Sequence, residues 1–129
     1  MPIAVIKNGS GPTLILTGGN HGDDYEGPFF ISELVRDLDS TRVSGRLILM
    51  PILNNSATQA GQRVFPLDGL NLNRTFSGDP YGSITEQISF YQNDHLFPVG
   101  DAYADPTLEA VPCTFYQVRL LNQHLRKNN

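Results

Sequence analysis

The sequence holds a single cysteine, Cys113, among its 129 residues. One thiol cannot form an internal disulfide, so a reducing compartment is expected. Basic side chains are few: 9 Lys and Arg against 13 Asp and Glu, a formal net charge of −4. They are scattered apart from Arg126 and Lys127 near the end, a pair read as a solvated tail. A nucleic-acid footprint needs clustered Lys and Arg, so that class of partner is excluded. No apolar run is long enough for a membrane span. No signal peptide is visible, because a short strand-like run follows Pro2 directly. Repeats, low-complexity tracts and linkers are also missing. The expectation is a cytoplasmic protein with neither nucleic acid nor membrane as partner.

What remains is an ordinary globular composition, 40% hydrophobic and 17% charged, too apolar for a disordered chain. The length suggests one domain over residues 1–129 with a modest core.

Ile3 to Lys7 and Thr13 to Thr17 are short β-prone runs separated by Asn-Gly-Ser-Gly-Pro, which reads as two strands around a turn. The second run is almost continuously apolar, as in a strand covered on both faces of an α/β sheet. Gly27 to Leu38 then reads as a helix with an apolar stripe of Phe30, Leu34 and Leu38, widened by Ile31 and Val35. Pro28 suits its first turn, where no N–H is needed. Gly45 to Ile52 is the next apolar strand. The order strand, helix, strand implies a parallel βαβ unit. From Asn54 to Tyr81 the chain is rich in Asn, Gly, Asp and Pro and has no period. Such a long loop in a compact domain is usually functional or disordered, and its content favours function. Ser83 to Leu96 reads as a second helix, with Ser83 and Glu86 forming a capping box and Ile84, Ile88 and Tyr91 an apolar face. Beyond Pro98 the pattern weakens, and Ala110 to Val118 is a candidate strand.

Two segments carry chemistry. His21-Gly22-Asp23-Asp24-Tyr25-Glu26 follows the buried strand directly, and α/β sheets bind ligands beyond the carboxyl ends of their strands. Imidazole and carboxylate are both good zinc ligands, and a His and an acid three residues apart on a tight turn can converge on one ion. A plain turn with a solvated acid cluster and an incidental histidine fits the spacing too. The second segment is Asp68-Gly69-Leu70-Asn71-Leu72-Asn73-Arg74, with Arg63 upstream. The guanidinium fork matches a carboxylate bidentately and Asn adds an amide donor. An ordinary polar loop has a similar composition. A phosphate site at the helix amino terminus fits less well, because Gly18-Gly19-Asn20-His21-Gly22 follows neither nucleotide-binding pattern and Asp23 and Asp24 would repel phosphate.

Together, Gly18 to Pro28 and Asp68 to Phe76 resemble the first zinc-binding segment and the substrate-carboxylate segment of the succinylglutamate desuccinylase/aspartoacylase family, nearest to its N-acetyl-diaminobutyrate deacetylase-like subgroup. The resemblance is clear from about Leu14 to Phe97 and weaker beyond. It implies a partial zinc-carboxypeptidase-like α/β domain, a mixed, mostly parallel sheet with flanking helices. It also implies a zinc-dependent deacylase that hydrolyses the linear amide of a small N-acylated amino acid. His21 would be the first zinc ligand. The family's second ligand is a Glu where this chain has Asp24, one methylene shorter, with Glu26 as a nearby substitute. Arg63 would polarise the scissile carbonyl or hold substrate, and Asn73 and Arg74 would clamp its carboxylate.

The chain departs from the family in one stretch. The family's third zinc ligand is a His in an Asp-Leu-His-Ser-Gly-Gly type segment, whereas here Asp101-Ala102-Tyr103-Ala104-Asp105 runs into Pro106-Thr107-Leu108-Glu109. The general-base Glu of the family lies further on than this chain reaches, so a truncated domain is expected. His95 and His124 read as surface residues, Glu109 as a poor substitute base, and Cys113 as a buried inert thiol. Two alternatives stay open: a catalytically inactive remnant that keeps the fold and binds a small carboxylate, and a homo-oligomer that recovers the missing parts.

Overall fold

A computed structural model describes residues 1–106 and 119–120 of the chain. The short apolar runs become β1 (Ala4–Asn8), β2 (Thr13–Thr17) and β3 (Gly45–Met50), joined by the brief β4 (Ala102–Ala104) and β5 (Arg119–Leu120). They form one sheet in the order β1-β3-β2-β4-β5. The pairings β3–β2 and β2–β4 are parallel, while β1 and β5 pair antiparallel to their neighbours. The architecture is therefore α/β with a mixed sheet, parallel at its centre, as expected.

Period-two alternation splits the core into two layers. Ile15, Ile48 and Met50 point to one face and pack with Leu53, Leu72 and Leu96. Leu16, Leu49 and Ala104 point to the other and pack with Ile31. Each fully buried Ile or Leu contributes roughly 1.5–3 kcal/mol relative to exposure, so the middle of β2 and β3 is where the fold is anchored.

Helix α1 (Glu26–Asp37) follows β2, with Pro28 in its first turn as expected. Its buried edge is Gly27, Pro28 and Ile31. Phe30 and Val35, expected in the apolar stripe, are 38% and 42% exposed. The reason is a close backbone contact: a Cβ on Gly18 would collide with Gly27 and Pro28. The helix approaches β2 along its glycine edge, which turns Phe30 and Val35 outward.

The segment expected as one long loop contains a short helix, α2 (Asn55–Ala60), and a 3-10 turn over Leu72–Arg74. Asn54 caps α2 by accepting the Ala57 N–H at 3.1 Å. Gly61, at φ 61°, ends it in a left-handed conformation that glycine adopts without steric cost. Helix α3 (Ile84–Tyr91) has the expected capping box from Ser83 and Glu86 and continues into a π turn over Gln92–Leu96. Of its expected apolar face, Ile88 packs against the core, but the other two residues do not turn inward. Ile84 and Tyr91 are 41% and 37% exposed, while Thr85, Ser89 and Gln92 are buried. Burying hydroxyls costs little when they find partners. Thr85 donates to Asp68 and Ser89 bonds Thr75, so the polar face is the one that turns inward. Among the described residues no helix is long and apolar enough to cross a membrane. The strand expected at 110–118, with Glu109, Cys113, His124, Arg126 and Lys127, lies outside the described residues.

Candidate metal centre

The central strand β2 ends at Thr17, and the next residues are sewn to the chain that follows β3. Gly18 N–H donates to Met50 O at 2.9 Å, while Leu53 N–H and Asn54 N–H donate to Gly18 O and Gly19 O at 2.9 Å each. This zipper carries Asn20 and His21 into the interior, 4% and 3% exposed. Gly22 then donates to Gln62 O at 2.9 Å. A Cβ at Gly22 would strike the Ala57 carbonyl, so close approach of two backbones demands glycine there.

His21 is held on both ring nitrogens. Its Nδ1 lies 2.8 Å from Asp24 Oδ2 and its Nε2 lies 3.1 Å from Asn71 Oδ1. Asn71 Oδ1 also accepts the Asn73 N–H at 3.0 Å, which marks it as an acceptor facing Nε2. Nδ1 faces a carboxylate oxygen, a pairing satisfied either by a ring N–H or by a metal cation between the two. Asp23 joins the group: one ligand atom each from His21, Asp23 and Asp24 lie within 4.8 Å of one another. Zinc contacts such ligands at about 2.0–2.2 Å, so donors this close need only small side-chain rotations to share an ion. The donor set and its orientation fit a divalent metal. The contact between Nε2 and Asn71 is the kind of outer contact that orients a metal-bound histidine.

The second segment meets the first at the same imidazole. Asn73 Nδ2 lies 3.3 Å from His21 Nε2, and Asn20 donates its side-chain amide to Asn73 Oδ1. Arg74 follows Asn73 at the end of the 3-10 turn and is exposed. Arg63 is exposed as well, one residue beyond the Gln62 carbonyl that ties down Gly22. Glu26, the proposed substitute for Asp24, starts α1 and is exposed; Asp24 itself reaches His21. His95 stands apart, with its ring 5.7 Å from both Phe90 and Tyr91.

Sequence reasoning missed Asp23, Asn71 and Asn20. A signal for Asn71 was present. In Asn71-Leu72-Asn73 the leucine is fully buried, so both asparagines project away from the core. Asp68 anchors the start of this segment. Its carboxylate accepts the N–H of Leu70 at 3.0 Å and of Thr85 at 2.9 Å, and the Thr85 hydroxyl at 2.9 Å. Burial pushes the Asp68 carboxyl up, but these bonds and the Ser83 hydroxyl outweigh it and hold the group below its ordinary value.

Residues 10–100 match the catalytic domain of the succinylglutamate desuccinylase/aspartoacylase family. Over 117 residues the chain is 46% identical to N-alpha-acetyl-L-2,4-diaminobutyric acid deacetylase of Halomonas elongata, covering 87% of this chain and 34% of that protein. The product-bound ectoine utilization protein EutE (DoeB) from Ruegeria pomeroyi aligns with a TM-score of 0.77 and 49% identity, over 81% of this chain and 32% of that one. A succinylglutamate desuccinylase/aspartoacylase from Rhodobacter sphaeroides aligns with a TM-score of 0.78 and 45% identity, over the same 81% and 32%. The chain spans about one third of the length of these relatives.

Proposed function

The chain belongs to the succinylglutamate desuccinylase/aspartoacylase family, and from that premise we propose that it carries the metal-binding and carboxylate-clamping part of an N-acyl amino acid hydrolase site. One observation carries the reading. The His21 imidazole has the metal donors Asp24 and Asp23 on one side and the Asn71–Asn73 segment on the other, so both halves of the chemistry meet at one ring.

In this reading zinc is held by His21 and Asp24, with Asp23 as the adjacent donor. When bound, it supplies Lewis-acid polarisation of an amide carbonyl and acidifies a water. The chain's own side chains do the remaining work. Asn71 faces Nε2 and orients the ring so that Nδ1 points to the acidic donors. Arg74 offers its fork to the substrate carboxylate while Asn73 adds an amide donor, and Arg63 supports the scissile carbonyl. Two contacts at the carboxylate fix the distance from that anchor to the amide bond, which is how positioning lowers a barrier. The substrate class proposed is a small N-acetylated diamino acid, in keeping with the Halomonas relative's name.

Acetate release from N-acetyl-2,4-diaminobutyrate, with zinc and with a chelator, tests the proposal. Zinc-stimulated release that the chelator abolishes is expected. Losing a charged hydrogen bond costs about 1.5–3 kcal/mol, so Arg74→Ala should raise KM by roughly 10- to 100-fold. Neither release nor binding of the acetylated amino acid by the zinc-supplemented protein would overturn it.

A further inference from the structure

We propose that Asp68, together with Thr85 and Ser89 of α3, is a positioning unit that holds the Asn71–Arg74 turn against His21. The inference rests on the reading of that turn as a carboxylate clamp.

The turn needs such a mount. Asn73 and Arg74 are exposed, as are Pro66, Leu67 and Gly69 before them. Of the turn's side chains Leu72 is the one sunk in the core, and a single apolar anchor does not by itself fix the turn's orientation. Besides the contacts of Asn71 and Asn73 with His21 and Asn20, two polar attachments brace the turn from behind, and both run to α3. Asp68 takes the Thr85 N–H and hydroxyl. Thr75, immediately after Arg74, bonds the Ser89 hydroxyl and donates to Leu72 O at 3.0 Å. Thr85 and Ser89 are four residues apart and fully buried, so they sit one above the other on one helix face. The clamp turn is thus fastened just before and just after its working residues to a single rigid element.

The choice of residue types supports the assignment. Thr85 N–H belongs to the first turn of α3, where backbone donors have no partner within the helix and the helix end favours negative charge. Ser83 already serves Glu86 N–H, which leaves Thr85 N–H to Asp68. A carboxylate accepts at every lone pair, and Asp68 uses that capacity on the Leu70 and Thr85 N–H groups and the Thr85 and Ser83 hydroxyls. An amide in its place would turn an NH2 towards one of them. The hydroxyls of Thr85 and Ser89 sit in a fully buried face, where unbonded they would cost stability.

The experiment uses the metal-free and zinc-supplemented full chain with Asp68→Asn, Ser89→Ala and the conservative Thr85→Ser. Two readouts are taken: the nuclear Overhauser contact between the Asn73 side-chain amide and the His21 ring, and affinity for N-acetyl-2,4-diaminobutyrate. The proposal expects Asp68→Asn and Ser89→Ala to lose the contact and weaken binding about tenfold, one lost hydrogen bond's worth. The core methyl signals of Ile15 and Leu49 should stay in place, and Thr85→Ser should retain both readouts. Variants that keep contact and affinity, and only melt earlier, would show a purely structural role and overturn it. Should Asp68→Asn fail to fold, Ser89→Ala decides by the same two signals. If the wild type binds no acetylated amino acid, the clamp reading falls, while the Overhauser contact still decides the positioning.

Discussion

Gly22 and Asp68 place the functional residues without touching a substrate. Gly22→Ala drives a methyl group into the Ala57 carbonyl, and overpacking of this kind typically costs about 1–3 kcal/mol. Urea unfolding of that variant should show a loss in this range, and the His21–Asp24 pairing should loosen with it. Asp68 gives a pH signature. Its folded carboxyl is held below the ordinary value, so its contribution to stability is present above the unfolded value of about 3.9 and fades as pH falls through the folded one. The stability gap between wild type and Asp68→Asn should therefore be full near neutral pH and close below about pH 4, read by urea unfolding at stepped pH. At this scale the sequence was informative where spacing was short. His21 and Asp24 are three residues apart, and their 2.8 Å pairing follows from one turn of chain. Asn71 acts across 50 residues, a distance no local pattern encodes.

Among the elements, legibility followed the kind of signal. The run Thr13–Thr17 became β2 with those bounds, because a continuous apolar strand leaves no alternative face. The capping box at Ser83 was equally local, and Ser83→Ala should cost about 1 kcal/mol, seen as a lower melting temperature with α3 still formed. Of the expected α3 face only Ile88 packs against the core, because an apolar count ignores hydroxyls whose partners lie elsewhere in the chain. The correction has a measurable consequence. Leu72→Ala should cost about 2–5 kcal/mol, as a buried large-to-small change does, whereas Ile84→Ala and Tyr91→Ala should stay within about 1 kcal/mol. Helix α2 went unseen because it has one buried apolar residue, Ala57, and β4 because three residues carry no period.

Across the molecule, the sheet order decides where the chemistry sits. β2 lies between β3 and β4, so the loop leaving its carboxyl end is flanked on both sides, and His21 emerges there already buried. The asparagine segment, Arg63 and Arg74 come from the chain between β3 and α3. The loop after β2 thus carries the proposed metal donors, and the chain between β3 and α3 carries the proposed clamp. The central claim is that His21 anchors a zinc site. Elemental analysis of the purified protein, wild type beside His21→Ala, tests it most directly. The account predicts near-stoichiometric zinc in the wild type and only traces in the variant. Traces in both, or equal zinc in both, would contradict it.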